Sequence, residues 1–290
     1  MKRKAKITLI IVLLTGLVGV FGYSLYRVIA QLKTDTAAKN QYDALAEIVR
    51  QIESRSAISP AETEASGLEN DVSRDAAAET SAETEPAEEP AASEAVQERT
   101  ILPQFAPLYE QNQDLFGWLR IDGTPIDYPV MYKPNDSEYY LHRNFYEEEL
   151  YSGSLYIDGA CPADGKFYLI YGHNMKNQSM FGTLKRYAGK DYWESHKTIQ
   201  FDTLYEKRSY VVVAAFYSRV EAAGTDGFQY YDYRDLSSPS VFEEYVAGAM
   251  KASLYETGIT VSYGDELITL STCNNNIRDG RFVVVAKRLR

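Results

Sequence analysis

The sequence predicts a mainly β fold with helical insertions, carried behind a single N-terminal membrane helix. Three observations lead there. Eight short β-type runs fall between residues 117 and 287, several separated by Asp-Gly turns. Of the 37 aromatic residues, 33 lie in 101–290, enough to fill one sizeable core. An uncharged run of twenty residues stands near the N-terminus.

That run comes first. Lys2, Arg3, Lys4 and Lys6 precede Ile7–Tyr26, which Arg27 closes. Twenty helical residues rise ~30 Å, the thickness of a bilayer's hydrocarbon core. The basic flank predicts a cytoplasmic tail at 1–6, an anchor at 7–26 and an exported remainder, so a single-pass protein of the cell membrane. The run exceeds the ~7–15-residue core of a signal peptide, and Arg27 crowds the loose cleavage site Val28-Ile29-Ala30. An uncleaved anchor is therefore expected. Residues 27–55 read as juxtamembrane, with Leu45, Ile48, Val49 and Ile52 marking a short amphipathic helix.

Residues 56–100 hold 12 of the 41 acidic residues, and only Arg74 and Arg99 as bases. The net charge of −11 is thus concentrated here, and the rest of the chain is close to neutral. With no aromatic residue and with Pro60, Pro86 and Pro90, this stretch cannot bury enough apolar surface to order itself. It reads as an acidic disordered linker that holds the following domain off the membrane. An acidic chain without a basic footprint also argues against nucleic acid as a partner.

The domain is expected at 101–290. The runs Gly117–Ile121, Asp127–Met131, Ser154–Ile157, Phe167–Tyr171, Thr198–Phe201, Ser209–Tyr217, Glu266–Ser271 and Arg281–Lys287 read as strands. Phe105–Leu115 and Phe181–Tyr187 read as short helices. A longer helix is expected near 239–255, capped by Ser238, opened by Pro239 and ended near Gly258. Its apolar stripe would be Val241, Tyr245, Met250 and Leu254. Many short strands with one late helix predict a β-barrel or sandwich.

Two cysteines make neither a disulfide scaffold nor a zinc site. No cofactor and no metal are expected; Glu147-Glu148-Glu149 reads as a solvated face. Cys273 ends a β-type run before a polar loop, and Arg281 opens the next run, so a hairpin would bring them together. A guanidinium beside a thiol favours the thiolate. On pattern alone Cys273 reads equally well as a nucleophile or as a small buried hydrophobe. A nucleophilic cysteine needs a proton-handling partner. His173 is the preferred one: it follows an apolar strand and Gly172, whereas His142 and His196 sit in polar surroundings. Cys161 reads as a free thiol.

Thr269-Leu270-Ser271-Thr272-Cys273, with Arg281 on the following strand, resembles the Thr-Leu-x-Thr-Cys motif of sortases. Tyr171-Gly172-His173 is similar to that family's histidine segment. Asp127-Tyr128-Pro129-Val130, Tyr139-Tyr140-Leu141, 152–158 and Met180-Phe181-Gly182 resemble class B in order and spacing. The resemblance covers roughly 104–290. It implies an eight-stranded barrel of the class B type, with an N-terminal helix and the long helix near 239–255.

It further implies a cysteine transpeptidase of the Gram-positive cell wall, with Cys273 as nucleophile, His173 as acid and base, and Arg281 as oxyanion and backbone donor. The implied substrates are surface proteins bearing an Asn-Pro-x-Thr-x-like C-terminal signal; the acceptor is a peptidoglycan amine. Asn135, Tyr171, Tyr231, Ser271 and Thr272 align with substrate-groove positions of that class. Tyr231 reads equally as a packed loop aromatic, and Ser271 and Thr272 as ordinary strand residues. Alternatives are a pilin-polymerising sortase, a hydrolytic cysteine protease, and a tethered interaction module with an inert cysteine.

Overall fold

Eight strands close into one barrel in the computed structural model, which describes residues 2–58, 99–222, 224–225, 227–273 and 278–289. Most of the acidic linker and the loop 274–277 lie outside the described residues. The strands are β1 (Leu115–Arg120), β2 (Asp127–Tyr132), β3 (Leu155–Ile157), β4 (Phe167–Tyr171), β5 (Thr198–Thr203), β6 (Ser209–Arg219), β7 (Leu267–Cys273) and β8 (Gly280–Arg288). Around the barrel they run β1-β2-β3-β4-β7-β8-β6-β5, and β5 pairs back onto β1. The pairs β2–β3 and β4–β7 are parallel; the other six are antiparallel. All eight expected runs are strands, each within a few residues of its predicted bounds.

Three helical expectations change. The Phe105–Leu115 helix shrinks to α2 (Ala106–Tyr109). Asn112 ends it: its Oδ1 accepts from the Asp114 backbone N–H, while its amide donates to Tyr140 Oη and the Phe145 carbonyl. Such a local side-chain bond offers the backbone an alternative to the helix. Phe181–Tyr187 becomes a 3₁₀ turn at Leu184–Ala188, followed by α3 (Lys190–Ser195), which was not expected.

The late helix is α4 (Pro239–Ala252). The Ser238 side chain makes no cap bond; its backbone carbonyl accepts from Phe242 N–H instead. Gly258 lies six residues beyond the helix end. The buried face is Phe242, Tyr245 and Ala249, while Met250 and Leu254 are exposed. Tyr245 sets that rotation: its ring meets Phe167, Phe228 and Tyr233, and its hydroxyl pairs with Thr269 inside the core. A strong local anchor overrides a weak stripe.

The N-terminal helix is the largest departure. α1 (Lys2–Ile58) is continuous, and its N-terminal part is apolar and long enough to cross a membrane by length and composition. Its C-terminal part is packed on the barrel. Tyr42, Leu45, Ala46 and Val49, at i, i+3, i+4 and i+7, are buried in the same core as the strands. The expected Ile48 is exposed. Tyr42 Oη donates to the Gly153 carbonyl at 2.8 Å and lies 2.9 Å from Ser154 Oγ; burial raises its pKa. Arg50 pairs with Asp127 at 2.8 Å, and Glu53 with Lys207 at 2.9 Å. The chain is therefore docked before the acidic linker begins. Between the apolar run and this docked part, the helix from Arg27 to about Ala38 rises roughly 18 Å.

Candidate active site

β7 and β8 bring the first two candidates together by register. Cys273 is the Cα partner of Arg281 in the antiparallel pair. Cys273 is exposed at the strand mouth, so the buried-hydrophobe reading falls. Arg281 is half-buried; among the described residues its one side-chain hydrogen bond runs from Nη1 to its neighbour's carbonyl, Gly280, at 3.1 Å. The other guanidinium N–H groups have no partner among the described residues, which is the condition for donating to a substrate.

His173 arrives from the other side of β7. β4 runs parallel to β7 with Tyr171 opposite Ser271, and the turn after β4 is stitched to the nucleophile strand. Gly172 N–H donates to the Ser271 carbonyl at 3.2 Å, Thr272 Oγ1 to the Gly172 carbonyl at 2.7 Å, and Asn174 Nδ2 to the Cys273 carbonyl at 2.8 Å. Gly172 is required by space: a Cβ there would stand 2.4 Å from Leu155 Cδ2 and 2.7 Å from Phe181 Cδ2.

The imidazole is half-buried and packs against two rings, His142 at 5.3 Å and Tyr151 at 5.7 Å between centroids. His142 is exposed, as its polar context implied, yet it borders the site. Its Nδ1–H donates to the Tyr151 carbonyl at 3.1 Å. Burial, and then the charge of His142, lower the His173 pKa; the Ser152 carbonyl acts weakly in the opposite direction. That carbonyl forms no hydrogen bond of standard geometry with Nδ1, which is buried without a partner among the described residues.

Cys273, His173 and Arg281 all line one cavity of about 580 Å³. Tyr171, Tyr231, Ser271 and Thr272 line it too. Ser271 Oγ is bonded to Tyr230 Oη at 2.7 Å in the buried wall, and burial pushes that phenol up to about 12. Tyr231 Oη accepts from the Glu221 N–H at 2.9 Å. Asn135 is different. It sits exposed at φ 65° in a tight turn and does not line the cavity; Ser137 and Glu138 do. Left-handed turn geometry explains an Asn at that place. Cys161 is buried away from the cavity wall, and burial pushes its thiol up to about 12.

Sequence reasoning missed Asp158 and Arg234, which line the cavity as an ion pair 3.2 Å apart. Asp158 follows a short apolar strand and could have been flagged as a polar residue at a strand end; Arg234 carried no signal.

Residues 119–289 match the Sortase domain family. Sortase B of Listeria monocytogenes is 35% identical over 191 residues, covering 63% of this chain and 73% of that protein. A Bacillus anthracis sortase B structure aligns at 32% identity with TM-score 0.57, over 66% of this chain and 86% of that one. The Staphylococcus aureus sortase B–substrate complex shares the fold at 22% identity, TM-score 0.66, over 89% and 99% of the two chains.

Proposed function

The chain belongs to the sortase family, within class B, and on that premise we propose a membrane-anchored transpeptidase that sorts surface proteins to the cell wall. Its substrate is an Asn-Pro-x-Thr-x-like C-terminal signal, cut after Thr. Its acceptor is a peptidoglycan amine. The observation that carries this reading is the convergence of Cys273, in register with Arg281, and His173, from the turn after β4, on one groove.

In the first half-reaction the Cys273 thiolate attacks the Thr carbonyl carbon. The carbonyl electron pair moves to oxygen, and unengaged Arg281 N–H groups stabilise the oxyanion. Collapse breaks the C–N bond; His173 imidazolium gives its proton to the leaving amine, and a thioester remains. In the second half an incoming amine attacks the thioester and passes a proton to neutral His173. The C–S bond then breaks and the thiolate returns. The lowered His173 pKa favours the neutral ring, the form that accepts the proton in the second half-reaction. α1 supplies the anchor, with the catalytic barrel outside the cell.

The test uses the full chain in detergent micelles and a fluorogenic Asn-Pro-x-Thr peptide. Cys273→Ala abolishes cleavage, and Arg281→Ala lowers kcat by about a hundredfold or more, as loss of an oxyanion donor does. An added amine diverts the product from free acid to amide. Unchanged turnover in Cys273→Ala ends this mechanism, and products indifferent to the amine point to a hydrolase.

A further inference from the structure

The end of the groove away from Cys273 is built around one buried carboxylate. Asp158, just after β3, is 4% exposed. It accepts from Arg234 Nε at 3.2 Å, from Ser137 Oγ at 2.9 Å, from the Ala160 N–H at 3.1 Å and from Tyr171 Oη at 3.5 Å. A buried carboxylate with this many donors is well compensated and fixes what it holds. It holds Arg234 by Nε alone. Both Nη groups of Arg234 lack a partner among the described residues, and Arg234 lines the groove with its side chain 35% exposed. A guanidinium pinned at one edge with its fork unengaged is a preorganised donor for a carbonyl oxygen.

Its place in the groove indicates which carbonyl. The Asp158 N–H donates to the Leu169 carbonyl, and Leu169 is level with Thr269 in the β4–β7 register. Cys273 lies four residues farther along β7, about 13 Å at ~3.3 Å per residue. A peptide whose Thr is at Cys273 carries its third residue upstream about 10 Å away when extended. In the proposed signal that residue is the Asn.

We propose that Arg234, fixed by Asp158, is a specificity-determining residue that donates its Nη hydrogens to the side-chain carbonyl of the Asn that opens the sorting signal. This rests on the sorting-signal reading above. Arg281 then serves the scissile end of the peptide and Arg234 the far end.

The experiment is peptide binding to the full chain carrying Cys273→Ala, in micelles, read by the anisotropy of a labelled Asn-Pro-x-Thr peptide. Arg234→Gln weakens Kd by about tenfold or more, the range for a hydrogen bond to a charged group. A peptide with Ala in place of Asn binds the parent equally weakly, and Arg234→Gln weakens that peptide no further. Arg234→Lys keeps the charge that faces Asp158 but has no fork; it melts like the parent while binding like the Gln variant, so the test survives if Arg234→Gln unfolds. Parent-like binding by Arg234→Lys, or fully additive losses, overturns the proposal. A parent that binds no Asn-Pro-x-Thr peptide overturns the sorting-signal reading itself.

Discussion

Thr272 Oγ1 donates to the Gly172 carbonyl at 2.7 Å, with both residues buried. One neighbour of this pair in sequence is Cys273 and the other is His173. The bond therefore ties the strand end that presents the nucleophile to the turn that presents the imidazole, across the parallel β4–β7 seam.

Removing this tie should cost activity more than stability. Thr272→Val keeps the shape but leaves the Gly172 carbonyl unpaired, at a cost of about 1–3 kcal/mol. The expected result is a lower melting temperature and a fall in kcat of tenfold or more, with Thr272→Ser close to wild type. Peptide turnover and thermal unfolding measure both; wild-type kcat in Thr272→Val removes the tie from the catalytic geometry.

Gly172→Ala should be severe. The added methyl meets Leu155 and Phe181 inside van der Waals contact, and both side chains are fully buried. Overpacking of this kind costs about 1–3 kcal/mol and shifts backbone. The shift falls on His173, so activity drops further than the melting temperature alone accounts for. Cleavage rates at a temperature well below the transition check this.

His173 sets a pH dependence whose sign follows from its depressed pKa. The unfolded ring titrates near 6.5 and the folded ring lower. Between those values the unfolded chain binds more protons, so stability rises with pH through the window. The contribution is complete above about 6.5 and is lost as pH falls toward the folded value. His173→Gln should flatten the melting temperature across this acid range relative to wild type. His142→Gln removes the second cause of the depression, and the His173 imidazole resonances in an NMR titration should move up toward 6.5. An unmoved titration refutes His142 as a cause.

Thiol chemistry should separate the two cysteines. Cys273 is exposed, while Cys161 is buried with its thiol pushed up to about 12. Brief iodoacetamide treatment near neutral pH should give one adduct, mapped by mass spectrometry to Cys273, and abolish peptide cleavage. An adduct at Cys161 in the folded protein contradicts this burial.

The docked part of α1 leads to a truncation result. A chain starting at residue 101 exposes the surfaces covered by Tyr42, Leu45, Ala46 and Val49, each worth roughly 1–3 kcal/mol where a large apolar side chain is fully buried. A chain starting near residue 36 keeps them. The longer form should melt several degrees higher; equal melting temperatures dispose of the docked helix as part of the domain.

The sequence by itself determined the strand set, because period-2 apolar runs bounded by turn residues report local structure directly. It also pointed to Cys273, His173 and Arg281 as candidates, through the resemblance of their local segments to sortase motifs. Tertiary structure decided what depends on distant partners. The rotation of α4 follows from Tyr245 meeting Phe167 and Thr269. The docking of α1 follows from Tyr42 reaching Gly153, 111 positions away. Asn135 faces solvent because its turn is left-handed, and Arg234 enters the groove because Asp158, 76 positions earlier, holds it. Local pattern carries no information about which remote side chain offers the missing hydrogen bond or fills the remaining space, and those pairings are where the fold completed the site.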